Sequence, residues 1–268
     1  MKKLLLLLIV VVACNTRDDN APETRNPQPR KKFLVDKIYD YHNNVIAVYT
    51  YNHNNQLVKR ETNDPVNKTR TDYDFEYEEG RIKKIKYTDY SFPQFNHDII
   101  IEYDHSGRII RDETYQRGNK IGFKVYSYYE DGKIKGILGA DNKEYYTVNY
   151  AGTHNAVSAS LLVDDGDGSI ENKGKGYREI LRNFTYDGHE KPDFGIGQVF
   201  QIEPLPYFGT EATFEKNISV NNMTEFIGGT KWIYEYNEEG LPATIETRWK
   251  DIETEEPLLI RLEYRAYE

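Results

Sequence analysis

The sequence predicts an all-β fold: an antiparallel meander of repeated β-hairpins forming a large curved sheet or a partly closed barrel. Three observations predict it. Tyr supplies 23 of the 268 residues, within an aromatic content of 13%, and Tyr favours strands because its ring packs on a pleated surface while its hydroxyl stays wet. Segments such as Thr71 to Glu78 alternate aromatic and acidic residues, the period-two pattern of a half-buried strand. Finally, a unit of an aromatic or aliphatic residue, any residue, Tyr, a turn residue and an aliphatic residue recurs. Its second Tyr stands at 51, 77, 103 and 128, at gaps of 26, 26 and 25, the self-similarity of a repeat architecture.

The chain opens on a different kind of segment. Lys2 and Lys3 form a positive start, Leu4 to Val12 is a nine-residue apolar run, and small Ala13 precedes Cys14. This is the layout of a signal peptide over residues 1–13; the run is too short to span a bilayer, which takes about 20 residues. Val11-Val12-Ala13-Cys14 looks like the lipobox read by lipoprotein signal peptidase, with Val11 and Val12 departing mildly from the usual Leu and Ala or Ser. Cys14 is the only cysteine, so it has no internal disulfide partner, and its place behind the apolar run is where lipidation occurs. Acyl chains on Cys14 would be the membrane partner, each buried methylene contributing about 0.8 kcal/mol.

Residues 14–32 then carry three prolines, many charges and no aliphatic residue larger than Ala21, the composition of a flexible tether. Asp18-Asp19 behind the lipid site resembles the surface-export signal of Bacteroidota lipoproteins; a plain polar spacer is the competing reading. Residues 33–268 are expected to be one repeat-built β domain, long enough to bury a substantial core. The formal charge is −9, which leaves no general attraction for phosphate backbones and argues against nucleic acid. A mean hydropathy of −0.78 fits a sheet with one packed and one solvated face.

In the second unit Tyr73, Phe75 and Tyr77 fall on one face, and Asp72, Asp74 and Glu76 on the other. The turn takes Gly80, Gly107, Gly132 or Gly240, or Asn55 in the first clear copy, residues that tolerate positive φ. The chain returns through Leu57, Ile82, Ile109, Ile134 or Ile245, so each unit reads as a hairpin and successive hairpins as a meander. Weaker echoes are Tyr39-Asp-Tyr41, Val148-Asn-Tyr150 with Gly152, and Phe184-Thr-Tyr186 with Gly188. Pro192, Pro204, Pro206 and several glycines break the pattern near 191–229. That stretch is expected to be irregular or to hold a short helix, with Ala212, Phe214, Ile218 and Met223 as apolar contacts, covering a face or end of the sheet.

Ile101-Glu-Tyr103-Asp104-His-Ser-Gly107-Arg108-Ile109 resembles the YD repeat of RHS-type proteins, whose core is Tyr-x-Tyr-Asp-x-x-Gly-Arg-Leu. Together with the lipobox, the tether and Lys216-Asn217-Ile218 before the repeat at Tyr234, the chain resembles a family of Bacteroidota lipoproteins of unknown function. The resemblance covers most of residues 38–268. It implies the hairpin architecture and no known activity; the copies are too few for the closed shell that RHS proteins build around a cargo.

Catalytic constellations are not found. None of His42, His53, His97, His105, His154 and His189 has metal-ligand spacing, four of them (42, 53, 105, 189) fall in predicted turns, and there is no Gly-x-Ser-x-Gly or phosphate-binding loop. No cofactor is expected. Asp164, Asp165 and Asp167 form the clearest acidic cluster, the one candidate for Ca²⁺. The EF-hand frame nevertheless puts Val163 at the first ligand position and Gly174 at the twelfth, which favours a solvated hairpin tip. Trp232, Tyr234 and Tyr236 share a face that reads as core, whereas Trp249, between Arg248 and Lys250, is the candidate ligand-stacking residue. The expectation is an outer-membrane lipoprotein, at the cell surface in preference to the periplasmic face, that binds a glycan or protein partner and is not an enzyme. The alternatives are a periplasmic assembly or scaffolding lipoprotein and a glycan-active hydrolase.

Overall fold

A computed structural model describes residues 32–138, 144–164, 177–196, 213–250 and 257–267. Cys14, the tether with Asp18 and Asp19, Asp165, Asp167 and Ala212 lie outside the described residues. The strands are β1 (Lys32–Asp40), β2 (Val45–Tyr51), β3 (Leu57–Asp64), β4 (Thr69–Glu78), β5 (Arg81–Asp89), β6 (His97–Tyr103), β7 (Ile109–Gln116) and β8 (Asn119–Tyr128). They continue as β9 (Ile134–Leu138), β10 (Glu144–Asn149), β11 (Ser158–Asp164), β12 (Tyr177–Glu190), β13 (Asn221–Phe226), β14 (Lys231–Tyr236), β15 (Pro242–Arg248) and β16 (Leu258–Tyr267). A 3-10 turn at Pro93–Phe95 precedes β6, and one helix, α1 (Thr213–Ile218), precedes β13.

Each strand pairs antiparallel with its neighbour in sequence, and β1 pairs with β16, so the sheet closes into a barrel. Closure abolishes the open edge that a meander otherwise exposes. It also fixes two rims. Lys32 and Tyr267 pair at one rim, together with the tight repeat turns after β2, β4, β6, β8 and β14. The turns after β1, β3, β5, β7 and β13 lie at the opposite, loop rim.

The repeat is legible atom by atom. In five hairpins the ladder shifts register immediately before the repeat Tyr, at Thr50/Tyr51, Glu76/Tyr77, Glu102/Tyr103, Ser127/Tyr128 and Glu235/Tyr236. Such bulges bend and twist a strand. The Tyr then turns back along the barrel. Tyr77 Oη donates to the Leu57 carbonyl (2.8 Å), Tyr103 to Ile82 (2.7 Å) and Tyr51 to Val35 (2.6 Å). Tyr264 does the same to Pro242 (2.7 Å). Asp104 closes its turn by accepting from the Ser106 and Arg108 amides (2.9 Å each); Asn52 and Asn237 repeat the device. The cation after the turn glycine reaches the next repeat: Arg81 lies 5.6 Å over the Tyr103 ring and Arg108 5.0 Å over Tyr128. Thus Tyr and Arg link each hairpin to its neighbours while Asp or Asn closes the turn, at about 1 kcal/mol per neutral hydrogen bond and about 0.5–1 kcal/mol per exposed cation–π contact.

The inward face is apolar, with Val35, Ile38, Leu57, Ile85, Ile101, Ile109, Val148, Ile245 and Ile260 all essentially inaccessible to water. The outward face is charged and cross-paired: Lys84–Asp98 (2.9 Å), Lys59–Asp72 (2.9 Å), Lys135–Glu144 (2.7 Å) and Lys37–Glu263 (3.2 Å). A barrel wall that meets lipid carries the opposite pattern, an outward apolar band about 25 Å tall.

Three expectations need correction. Phe184 to Gly188 forms no hairpin: β12 continues to Glu190, pairing with β11 along seven residues and then with β13, with register shifts at Thr185/Tyr186 and Tyr186/Glu190. His189 is therefore in a strand, stacked 3.8 Å from the Tyr236 ring, rather than in a turn. Within 191–229 the helix is α1, but Met223 belongs to β13 and is buried there as a strand residue.

Candidate binding surface

Most polar side chains on the inward face serve the fold. Arg60 is 4% exposed, donates to Thr62 Oγ1 (3.1 and 2.9 Å) and lies 4.7 Å from the Tyr73 ring centroid. Asp112 accepts from the buried Tyr126 hydroxyl. Helix α1 packs on the same face: Phe214 meets the Tyr146 ring edge-on at 5.4 Å, the Tyr146 hydroxyl donates to Glu215, and Lys216 lies 3.6 Å over Trp232. Lys191 donates to the Lys216 and Asn217 carbonyls, and burial pushes its ammonium down to about 7. Beside it, the Asp193 and Gly195 carbonyls accept from the Val35 and Leu57 amides (3.0 and 3.4 Å). Helix and segment together cover the barrel interior by the tight-turn rim.

The loop rim is built differently. It gathers exposed apolar side chains: Val66 at 85%, Phe95 at 56%, Phe92 at 50%, and also Tyr41, Tyr90 and Ile227. The 89–97 connection is held by an ordered set of hydrogen bonds. Asp89 Oδ1 accepts from the Ser91 and Phe92 amides (2.8 Å each), and its own amide donates to Asn96 Oδ1 (2.7 Å). Pro93 sets φ at the start of the 3-10 turn, and Gln116 Nε2 donates to the Gln94 carbonyl (2.7 Å). The Phe92 and Phe95 rings stand 6.2 Å apart.

A cleft of about 350 Å³ opens beside this loop, lined by Lys86, Pro93, Asn96, His97, Asp98, Tyr115 and Arg117 among others. Asp98 is neutralised by Lys84. The Tyr115 hydroxyl donates to Glu113 (2.5 Å), which with Lys120 holds that carboxylate down at about 2. Lys86 and Arg117 enter no ion pair among the described residues. Nearby, Asp72 is 1% exposed although it points outward. Burial raises its carboxyl, but hydrogen bonds from Arg70, Lys59 and Tyr90 outweigh that and hold it below the usual carboxylate range. The same contacts fix Tyr90 (Oη to Asp72, 3.0 Å) with Arg70 stacked 5.1 Å over its ring.

Trp249 also lies at the loop rim. It is half-buried and lines a second cleft, of about 260 Å³, with Glu225, Gly228, Gly229, Lys231, Arg248 and Lys250. Asp164 ends β11 at the same rim, while Asp165 and Asp167 are outside the described residues. Among the described residues no group of three His, Cys, Asp or Glu side chains is placed to hold a metal. Phe92 and Phe95 are absent from the candidates that the sequence yields. Their signal was present: two Phe around a Pro, in the only stretch that interrupts the repeat between Tyr77 and Tyr103.

No family model matches the chain, and no curated protein matches it. Among solved structures it is similar to a porin-like protein from Bacteroides uniformis, at 14% identity and a TM-score of 0.48, over 82% of this chain and 89% of that one. A porin-like protein from Bacteroides vulgatus is similar at 13% identity and a TM-score of 0.41, over 87% of this chain and 99% of that one. A Photorhabdus luminescens Tc holotoxin pore is similar at 17% identity and a TM-score of 0.26, over 80% of this chain and 10% of that one. At such identities function has to be read from this chain's own residues.

Proposed function

We propose that the protein is a non-enzymatic envelope lipoprotein, anchored to the outer membrane through Cys14 and displayed at the cell surface, whose barrel presents its loop rim to a partner. One observation carries this reading: the two rims are chemically unlike. The tight-turn rim, where the chain enters β1 at Lys32, is stapled by repeat hydrogen bonds and covered by 191–196 and α1. The loop rim holds both clefts and the exposed rings. The charged outward wall supports a barrel carried by lipid chains and bathed in water.

Proteolysis of intact cells tests the location, with a tag at the C-terminus and a periplasmic control protein. Loss of the tag while the control survives is expected. Survival of both until the outer membrane is broken would move the protein to the periplasm and favour an assembly role.

A further inference from the structure

We propose that the cleft beside the 89–97 loop docks a peptide segment of a partner protein, acidic and bearing an apolar side chain. The inference rests on the reading of the loop rim as the binding end. Phe92 and Phe95 have no polar atom to be solvated, yet both are half exposed. Their loop is not slack. Asp89, Asn96, Pro93 and the Gln116–Gln94 bond fix its backbone, so two rings are held in water by a preordered frame. Such a frame has already met the ordering cost that binding otherwise incurs, and Pro93 and Asn96 of the same loop line the cleft beside the two rings.

Charge selects the partner. The chain is acidic overall, but Lys86 and Arg117 flank this cleft outside any ion pair among the described residues, while Asp98 is already matched by Lys84. The unmatched charge is positive, which suits a carboxylate set beside the apolar residue that the Phe pair would cover. A bilayer fits less well. The site contains Asp98 and Tyr115, directional polar groups that a lipid surface does not engage.

The test is selection of random peptides by display against the full chain carrying Cys14→Ser, which removes the lipid site. Two variants serve as counter-targets, Phe92→Ser with Phe95→Ser, and Lys86→Glu with Arg117→Glu. All four side chains lie at the rim surface, and unchanged thermal midpoints verify folding. The expected result is enrichment of peptides with Asp or Glu beside a large apolar residue, their affinity falling about tenfold or more, a shift of about 1.4 kcal/mol, on each variant. Peptides that bind wild type and both variants equally, or no enrichment, would overturn the proposal. So would co-sedimentation with phosphatidylglycerol vesicles that both variants abolish, because the occupant would then be a lipid surface. Peptide binding is read on purified protein. Protection of the domain in intact cells would therefore defeat the surface location and leave the docking result standing.

Discussion

Tyr103 concentrates the physics of the whole barrel in one side chain. Its ring takes the Arg81 guanidinium, and its hydroxyl reaches back to the Ile82 carbonyl. The Tyr103→Phe variant keeps the ring and loses the bond, so the denaturant midpoint should fall by the equivalent of about 1 kcal/mol; no loss would make the hydroxyl incidental. Burial pushes Tyr103 and Tyr49 up to about 12, above the value of about 10 for an unfolded tyrosine. The folded state thus binds more protons above pH 10, and the stability these groups contribute is present below that pH and lost as pH rises through about 12. The tyrosinate absorbance of the buried tyrosines should appear only together with loss of the sheet's circular dichroism in that window; ionisation of all 23 tyrosines with the sheet intact would contradict it. Sequence periodicity identified these tyrosines and their face. It could not show that Asp72, correctly placed on the outward face, is roofed over by Arg70, Lys59 and Tyr90, because coverage depends on which long side chains fold over a position and not on alternation.

At the scale of elements, the hairpin is what the sequence encodes most openly. The turn residues Asn55, Gly80, Gly107, Gly132 and Gly240 all adopt positive φ, as their types required. Gly136 has a different reason to be glycine: a Cβ there would lie 2.2 Å from the Tyr146 carbonyl oxygen across the β9–β10 ladder. Gly136→Ala is expected to cost about 3 kcal/mol, read from thermal unfolding, against about 1 kcal/mol for Gly80→Ala, whose new methyl meets open space; equal costs would refute the close approach. Where the repeat falters, local pattern misleads. Phe184-Thr-Tyr186 with Gly188 has the letters of a hairpin, yet β12 forms a seven-pair ladder with β11 up to Asn183 and pairs with β13 from Phe184 onward, and tertiary pairing overrides a turn residue. The stretch after Lys191 combines a short helix with a strand, and its place against Tyr146 and Trp232 is set by contacts far away in sequence.

For the whole molecule, the sequence conveyed the meander but left closure open, because the pairing of β1 with β16 joins residues more than 200 positions apart and has no local signature. Closure is what sorts the connections into two rims. It gathers Trp249, Phe92 and Phe95 at one rim, while Lys32 starts the domain from the other. At the loop rim the sequence offers only Trp249, which lines a different cleft from the one beside the Phe92–Phe95 loop; exposure of two rings on an ordered loop has no local sequence signature. The proposed function has the barrel held at a membrane by lipid on Cys14 and not by its own wall. Fractionation of cells that express wild type or Cys14→Ser, with the C-terminal tag followed by blot, tests it most directly. Wild type is expected to sediment with membranes and require detergent for release, while Cys14→Ser should appear in the soluble fraction as a folded β protein. A Cys14→Ser chain freed of residues 1–13 that remains folded in the membrane fraction, and leaves it only with detergent, would contradict that anchor and place the barrel wall itself in lipid.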